Sequence, residues 1–124
     1  NTPVMVYADY EKIQRVIYNL LDNAIKFTNK NGKIILKTEE LEQKAYISII
    51  DNGIGMKEDE QARIFDRLYK ADSSRGMDKT GSGLGLSIVK EFIKAHNEEI
   101  FVKSTLGKGS TFTFTLKLYN KNKK

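Results

Sequence analysis

The chain is 124 residues long, with 40% hydrophobic and 30% charged residues, one proline and a net charge of +5, a composition that fits one globular domain and excludes a disordered or fibrous segment. It has no cysteine and a single histidine, His96, which excludes disulfide frameworks, thiol chemistry and multi-histidine zinc sites, so any metal must be held by oxygen. No apolar run approaches the roughly 20 residues of a membrane span, no basic-then-apolar export signal opens the chain, and the 21 Lys and Arg are interspersed with 16 Asp and Glu instead of forming the basic stripe of a nucleic-acid surface.

A short apolar stretch at residues 4–7 precedes Asp9, a good helix-capping residue. Ile13, Val16, Ile17, Leu20, Leu21 and Ala24 then recur at helical spacing, which predicts an amphipathic helix over residues 10–27. Asn31-Gly32 punctuates the chain. Residues 33–38 and 45–51 read as an antiparallel pair of strands, joined by the charged segment 39–44. From 52 to 82 the periodicity weakens: glycines at 53, 55, 76 and 81 bracket a polar stretch, with one short helical piece near 58–65. A loop of about 30 residues is uncommon in a compact domain unless it is functional.

Leu84 opens a second helix, with Ile88, Val89, Phe92 and Ile93 on one face, which ends near His96. Residues 100–104 and 111–118 flank a turn at 106–109, and the last strand alternates Phe112, Phe114, Leu116 and Leu118 against Thr111, Thr113 and Thr115. Helices interleaved with such strand pairs predict an α/β two-layer sandwich: a mixed, mostly antiparallel sheet of about five strands, covered on one face by about three helices. Residues 1–119 are expected to form this one domain, and residues 120–124 a polar basic tail.

Three segments carry residues suited to chemistry. At about 100° per residue, Asn19, Asn23 and Lys26 share a narrow stripe on a flank of the first helix. Asparagine competes for backbone hydrogen bonds and weakens a helix interior, so the stripe is either an ordinary solvated face or a polar ligand site. Asp51-Asn52-Gly53-Ile54-Gly55 ends a strand; it reads as a plain strand-ending turn, or as a sheet-held carboxylate beside a backbone that lets a flat ligand approach. Gly81-Ser82-Gly83-Leu84-Gly85-Leu86 leads into a helix, where amide groups and the helix dipole suit phosphate oxygens. It is no dinucleotide fingerprint: residues 74–80 do not read as a strand, and Leu86 stands where the third glycine belongs.

Taken in this order, residues 4–118 resemble the ATP-binding catalytic domain of sensor histidine kinases, in the superfamily of DNA gyrase B, the heat-shock chaperone ATPases and the MutL proteins. The run from Asn19 to Phe27 is similar to the family's N box, and Asp51 to Gly55 to its first glycine box. Ile64-Phe65-Asp66-Arg67-Leu68-Tyr69-Lys70 resembles its F box, Gly81 to Leu86 its second glycine box, and Gly107-Lys108-Gly109-Ser110-Thr111-Phe112 its closing turn.

The resemblance implies roles. Asn23 would ligate Mg²⁺ through its amide oxygen, as suits a hard ion, and Asn19 and Lys26 would lie along the phosphates of ATP. Asp51 would accept from the exocyclic amine of adenine, Phe27 and Ile54 would wall the base, and Thr111 would place a hydroxyl near it. Gly53 and Gly55 would shape the turn beneath the base. Gly81, Ser82, Gly83, Leu84, Gly85 and Leu86 would wrap the phosphates as part of a long ATP lid, and Arg67 or Lys70 would reach the γ-phosphate.

Two departures stand out. The family usually has arginine where Lys70 stands, and commonly His-Gly-Gly where this chain has His96-Asn97-Glu98. A lone histidine at a helix end reads as structural and is not assigned as a phosphate acceptor.

The implied function is transfer of the γ-phosphoryl group to a histidine on a separate dimerisation domain of a two-component sensor kinase, with a response regulator downstream. The resemblance implies the cytoplasmic part of a membrane-bound sensor, with no membrane contact by this segment, and the interspersed charges imply no nucleic-acid partner. An ATP-gated switch or ATPase of the same superfamily is the alternative, followed by a serine-directed kinase. In those branches a glutamate stands where this chain has Asn19, and an amide cannot act as a general base.

Overall fold

The computed structural model describes residues 4–66 and 85–119. Asp9 starts the first helix, α1 (Tyr10–Phe27): its side chain accepts the Lys12 backbone N–H at 3.1 Å, and that bond holds the carboxyl below its usual range. Ile13, Val16, Leu20 and Ala24 recur every third or fourth position and are buried, so the helix turns one stripe inward.

That stripe lies on a five-stranded sheet built from β1 (Val6–Tyr7), β2 (Ile34–Leu41), β3 (Lys44–Asp51), β4 (Ile100–Thr105) and β5 (Gly109–Leu118). Each of these strands pairs antiparallel with its neighbours. The long β5 lies between β3 on one side and, on the other, β4 at its start and β1 at its end; β2 forms the far edge. Ala45, Ile47 and Ile49 of β3 and Phe112, Phe114 and Leu116 of β5 point inward at period two and meet α1 and Val89 and Ile93 of α3 (Gly85–Ala95). Burying side chains of this size contributes about 2 to 3 kcal/mol each. The short α2 (Glu58–Arg63) packs against β4.

The hairpin of β2 and β3 is longer than the sequence suggests. The ladder runs through the charged segment to Leu41↔Lys44, and the chain reverses over Glu42 and Gln43 alone, both at positive φ (50° and 68°). Two residues in the left-handed region match the twist of a tight hairpin. The charged Glu39 and Glu40 are tolerated in the ladder because β2 is an edge strand, exposed from Ile35 to Leu41.

Asn97 explains the departure after α3. It takes φ 59°, while Glu98 N–H donates to Ile93 O (3.2 Å) and Asn97 N–H to Lys94 O (2.9 Å). These are the two bonds of a Schellman motif, with asparagine in the left-handed position that glycine usually fills. The Glu98 carboxylate then folds inward, accepting the Thr115 hydroxyl at 2.7 Å and pairing with Lys44 at 3.0 Å, which raises the ammonium above its ordinary pKa.

Candidate functional site

The C-terminal half of α1, the turn after β3 and the start of α3 converge. Asn19 Nδ2 donates to the carbonyl of Gly85 at 3.3 Å, joining the middle of α1 to the first residue of α3. At the end of α1, Phe27 O accepts the Ile54 N–H at 3.1 Å. Gly53 is required at this crossing, since a Cβ there would collide with the same Phe27 carbonyl. Gly55 has φ +70°, a conformation that side-chain-bearing residues rarely adopt, and a Cβ there would collide with Thr105 O.

Asp51 is 6% exposed and ends β3 on the inner face of the sheet. Its Oδ1 accepts two backbone donors, Gly53 N–H at 2.9 Å and Ser110 N–H at 3.3 Å. Its Oδ2 takes no hydrogen bond from the described residues. Burial pushes the carboxyl above its usual range, and the two N–H bonds offset only part of that shift. The result is a fixed carboxylate with one oxygen satisfied by the backbone and one without a partner among the described residues.

Asn23 is half-buried and makes no side-chain hydrogen bond among the described residues. Lys26 pairs with Asp22 at 3.2 Å along the helix. Phe27 and Ile54 are half-buried beside these groups, and Leu86 packs on the core just inside α3. Arg67, Lys70, Gly81, Ser82, Gly83 and Leu84 lie outside the described residues, as does most of the expected lid.

Thr111 is separated from the other expected residues by strand parity. It pairs with Ile50 and Lys103, while Asp51 pairs with Ser110, so the Thr111 hydroxyl projects from the opposite face of the sheet to the carboxylate. Ser110, not Thr111, shares the face of Asp51. The signal was in the alternation itself: Phe112 and Phe114 point inward, and the same parity includes Ser110. Sequence reasoning also missed Ser104 and Gln61, whose hydrogen bonds hold the turn at residues 54–56.

Residues 8–120 match the family described as histidine kinase-, DNA gyrase B-, and HSP90-like ATPase. The chain belongs to this family. It is 44% identical over 115 residues to the adaptive-response sensory kinase SasA of Crocosphaera subtropica, covering 92% of this chain but 30% of that protein. Among solved structures, the mycobacterial sensor histidine kinase MprB superposes with a TM-score of 0.85 at 29% identity, over 94% of this chain and 79% of that one. Full-length ShkA in complex with AMPPNP gives 0.79 at 28% identity, over 95% of this chain and 24% of that one.

The chain thus corresponds to the catalytic, ATP-binding domain of histidine kinases and spans less than a third of the length of its SasA relative. Its two-layer α/β sandwich is the fold of that domain.

Proposed function

We propose that this domain binds Mg-ATP between α1, the turn after β3 and the start of α3, and donates the γ-phosphoryl group to a histidine on a separate dimerisation domain of the same two-component kinase. The observation that carries the reading is Asp51. With Oδ1 committed to two backbone N–H groups, Oδ2 is left to accept from a flat donor such as the exocyclic amine of adenine. Guanine presents a carbonyl oxygen at that position, so two acceptors would face each other.

The base lies between Phe27 and Ile54, and the turn whose backbone approach requires Gly53 and Gly55 lies beneath it. The half-buried amide of Asn23, which has no partner among the described residues, fits an oxygen ligand for Mg²⁺; the ion supplies charge neutralisation on the phosphates when bound. Asn19 directs its amide protons to Gly85 and holds the start of α3 against the phosphate path, while Lys26 contributes positive charge. Arg67, Lys70 and the segment Gly81-Ser82-Gly83-Leu84-Gly85 complete the phosphate contacts in this reading. Residues 1–119 act as one catalytic unit and 120–124 as a tail, in the cytoplasmic part of a sensor whose phosphate passes on to a response regulator.

Asn19 favours transfer to histidine over hydrolysis. No carboxylate stands at that position to take a proton from water, and general-base help contributes about 10²- to 10⁴-fold in rate. A neutral histidine nitrogen already has its lone pair, so positioning and charge neutralisation suffice. Incubation of the domain with labelled ATP, Mg²⁺ and the separately made dimerisation domain of the same kinase tests this. Acid-labile, base-stable phosphate on the added partner is expected, with little turnover by the domain alone. Brisk Mg-dependent hydrolysis by the domain alone, and no phosphate on the partner, would reject the reading.

A further inference from the structure

The Ser104 hydroxyl has three partners: Met56 N–H at 2.8 Å, Gly109 O at 2.9 Å and Ser110 Oγ at 2.8 Å. A hydroxyl has one proton and two lone pairs. The carbonyl cannot donate and the N–H cannot accept, so the Ser104 proton goes to Gly109 O, and Ser110 must donate its own proton to Ser104. This single assignment leaves the Ser110 hydroxyl no proton for Asp51, which takes only the backbone N–H of residue 110.

Gln61, on α2, completes the arrangement. Its Nε2 donates to Met56 O at 3.1 Å and to Ser104 O at 2.9 Å, and with two carbonyls as partners the amide orientation is fixed. Both backbone groups of Met56 are therefore held by side chains, Ser104 and Gln61. Two residues earlier, both backbone groups of Ile54 are held by main chain, its N–H by Phe27 O and its O by Gly107 N–H at 2.7 Å. The turn bearing Ile54 is thus fixed against the strand end bearing Asp51.

We infer that Ser104 and Gln61 are positioning residues for base selectivity: they touch no nucleotide, but hold Ile54 and Asp51 at the spacing that fits adenine. The inference rests on the ATP-binding reading above. It joins the base site to α2 and β4, neither of which contributes a direct contact to the base in that reading.

The test is calorimetric titration of ATP and of GTP, each with Mg²⁺, into the wild type, Ser104→Ala, Ser104→Thr and Gln61→Glu. Each lost hydrogen bond should reduce the ATP-over-GTP preference by about three- to tenfold through weaker ATP binding, with GTP affinity unchanged. Ser104→Thr, which keeps the hydroxyl, should restore the preference. Gln61→Glu sets a carboxylate against two carbonyls and should match Ser104→Ala. Because it sits on a different element, it carries the test if Ser104→Ala fails to fold. An unchanged ratio, or parallel losses of ATP and GTP in both variants, would overturn the inference while leaving the ATP reading intact. Equal ATP and GTP affinities in the wild type would overturn the Asp51 reading and this inference with it.

Discussion

The backbone N–H of Asp9 donates to Nε2 of His96, 2.9 Å away and 87 residues along the chain. The other ring nitrogen, Nδ1, lies 2.8 Å from Phe92 O, so the neutral imidazole donates to the end of α3 and accepts from the start of α1. An 18-residue helix is about 27 Å long, which puts this clamp at the far end of α1 from Phe27 and Asp51. His96→Ala should lower unfolding free energy by about 1 kcal/mol in a urea titration, with ATP affinity and partner phosphorylation retained. Loss of phosphorylation at unchanged stability would contradict a structural role.

Asp51→Asn separates binding from folding. The amide keeps an oxygen for the Gly53 and Ser110 donors but turns an NH₂ toward the base, where it opposes the adenine amine and suits the guanine carbonyl. ATP affinity should fall tenfold or more, on the order of a charged hydrogen bond, while GTP affinity rises. The melting temperature without nucleotide should stay level or increase, because a desolvated charge has been removed. A large drop in melting temperature would show that Asp51 is held for stability instead.

The raised pKa of Asp51 gives its pH dependence a definite sign. Burial disfavours the charged form in the free domain, so the ionised carboxylate costs stability at neutral pH, and that cost is relieved as pH falls through its folded pKa towards the unfolded value near 3.9. ATP favours the ionised form, so binding should release a proton. The ATP-over-GTP preference should shrink on acidification, beginning above the ordinary aspartate range. Affinities measured for both nucleotides across the pH range in which the fold persists would check this, with GTP controlling for phosphate titration.

Asn23→Ala should weaken ATP binding more with Mg²⁺ than without it, because the lost oxygen would be a metal ligand and not a base contact. Titrations with and without excess chelator give the comparison. Equal losses in both would assign Asn23 to helix packing.

Asn97 tests the helix end. At φ 59° alanine should cost about 1 kcal/mol of stability, whereas Asn97→Gly should be neutral or slightly stabilising. Chemical denaturation of the two variants decides it, and equal effects would show that the turn does not need the left-handed conformation.

The sequence by itself determined the elements and most of the candidate site. The apolar period of α1, from Ile13 to Ala24, and the alternation of β5 specify which faces are buried, because a helix and a strand each repeat their faces at a fixed interval. Asn19, Asn23, Asp51, Gly53 and Gly55 were singled out by residue type and order, and Phe27 and Ile54 by the family resemblance alone. The tertiary structure decided what depends on register and contact. The pairing of Asp51 with Ser110 set Thr111 on the opposite face of the sheet, and the two-residue turn at Glu42 and Gln43 lacked the Asn-Gly or Asp-Gly signal by which such turns are read. The neighbours of Ser104 and the partner of His96 lie in other elements, with Asp9 87 residues away. Periodicity reports how one segment divides its own faces, whereas a hydrogen bond between distant segments depends on how their faces are brought into register, and no local pattern encodes that.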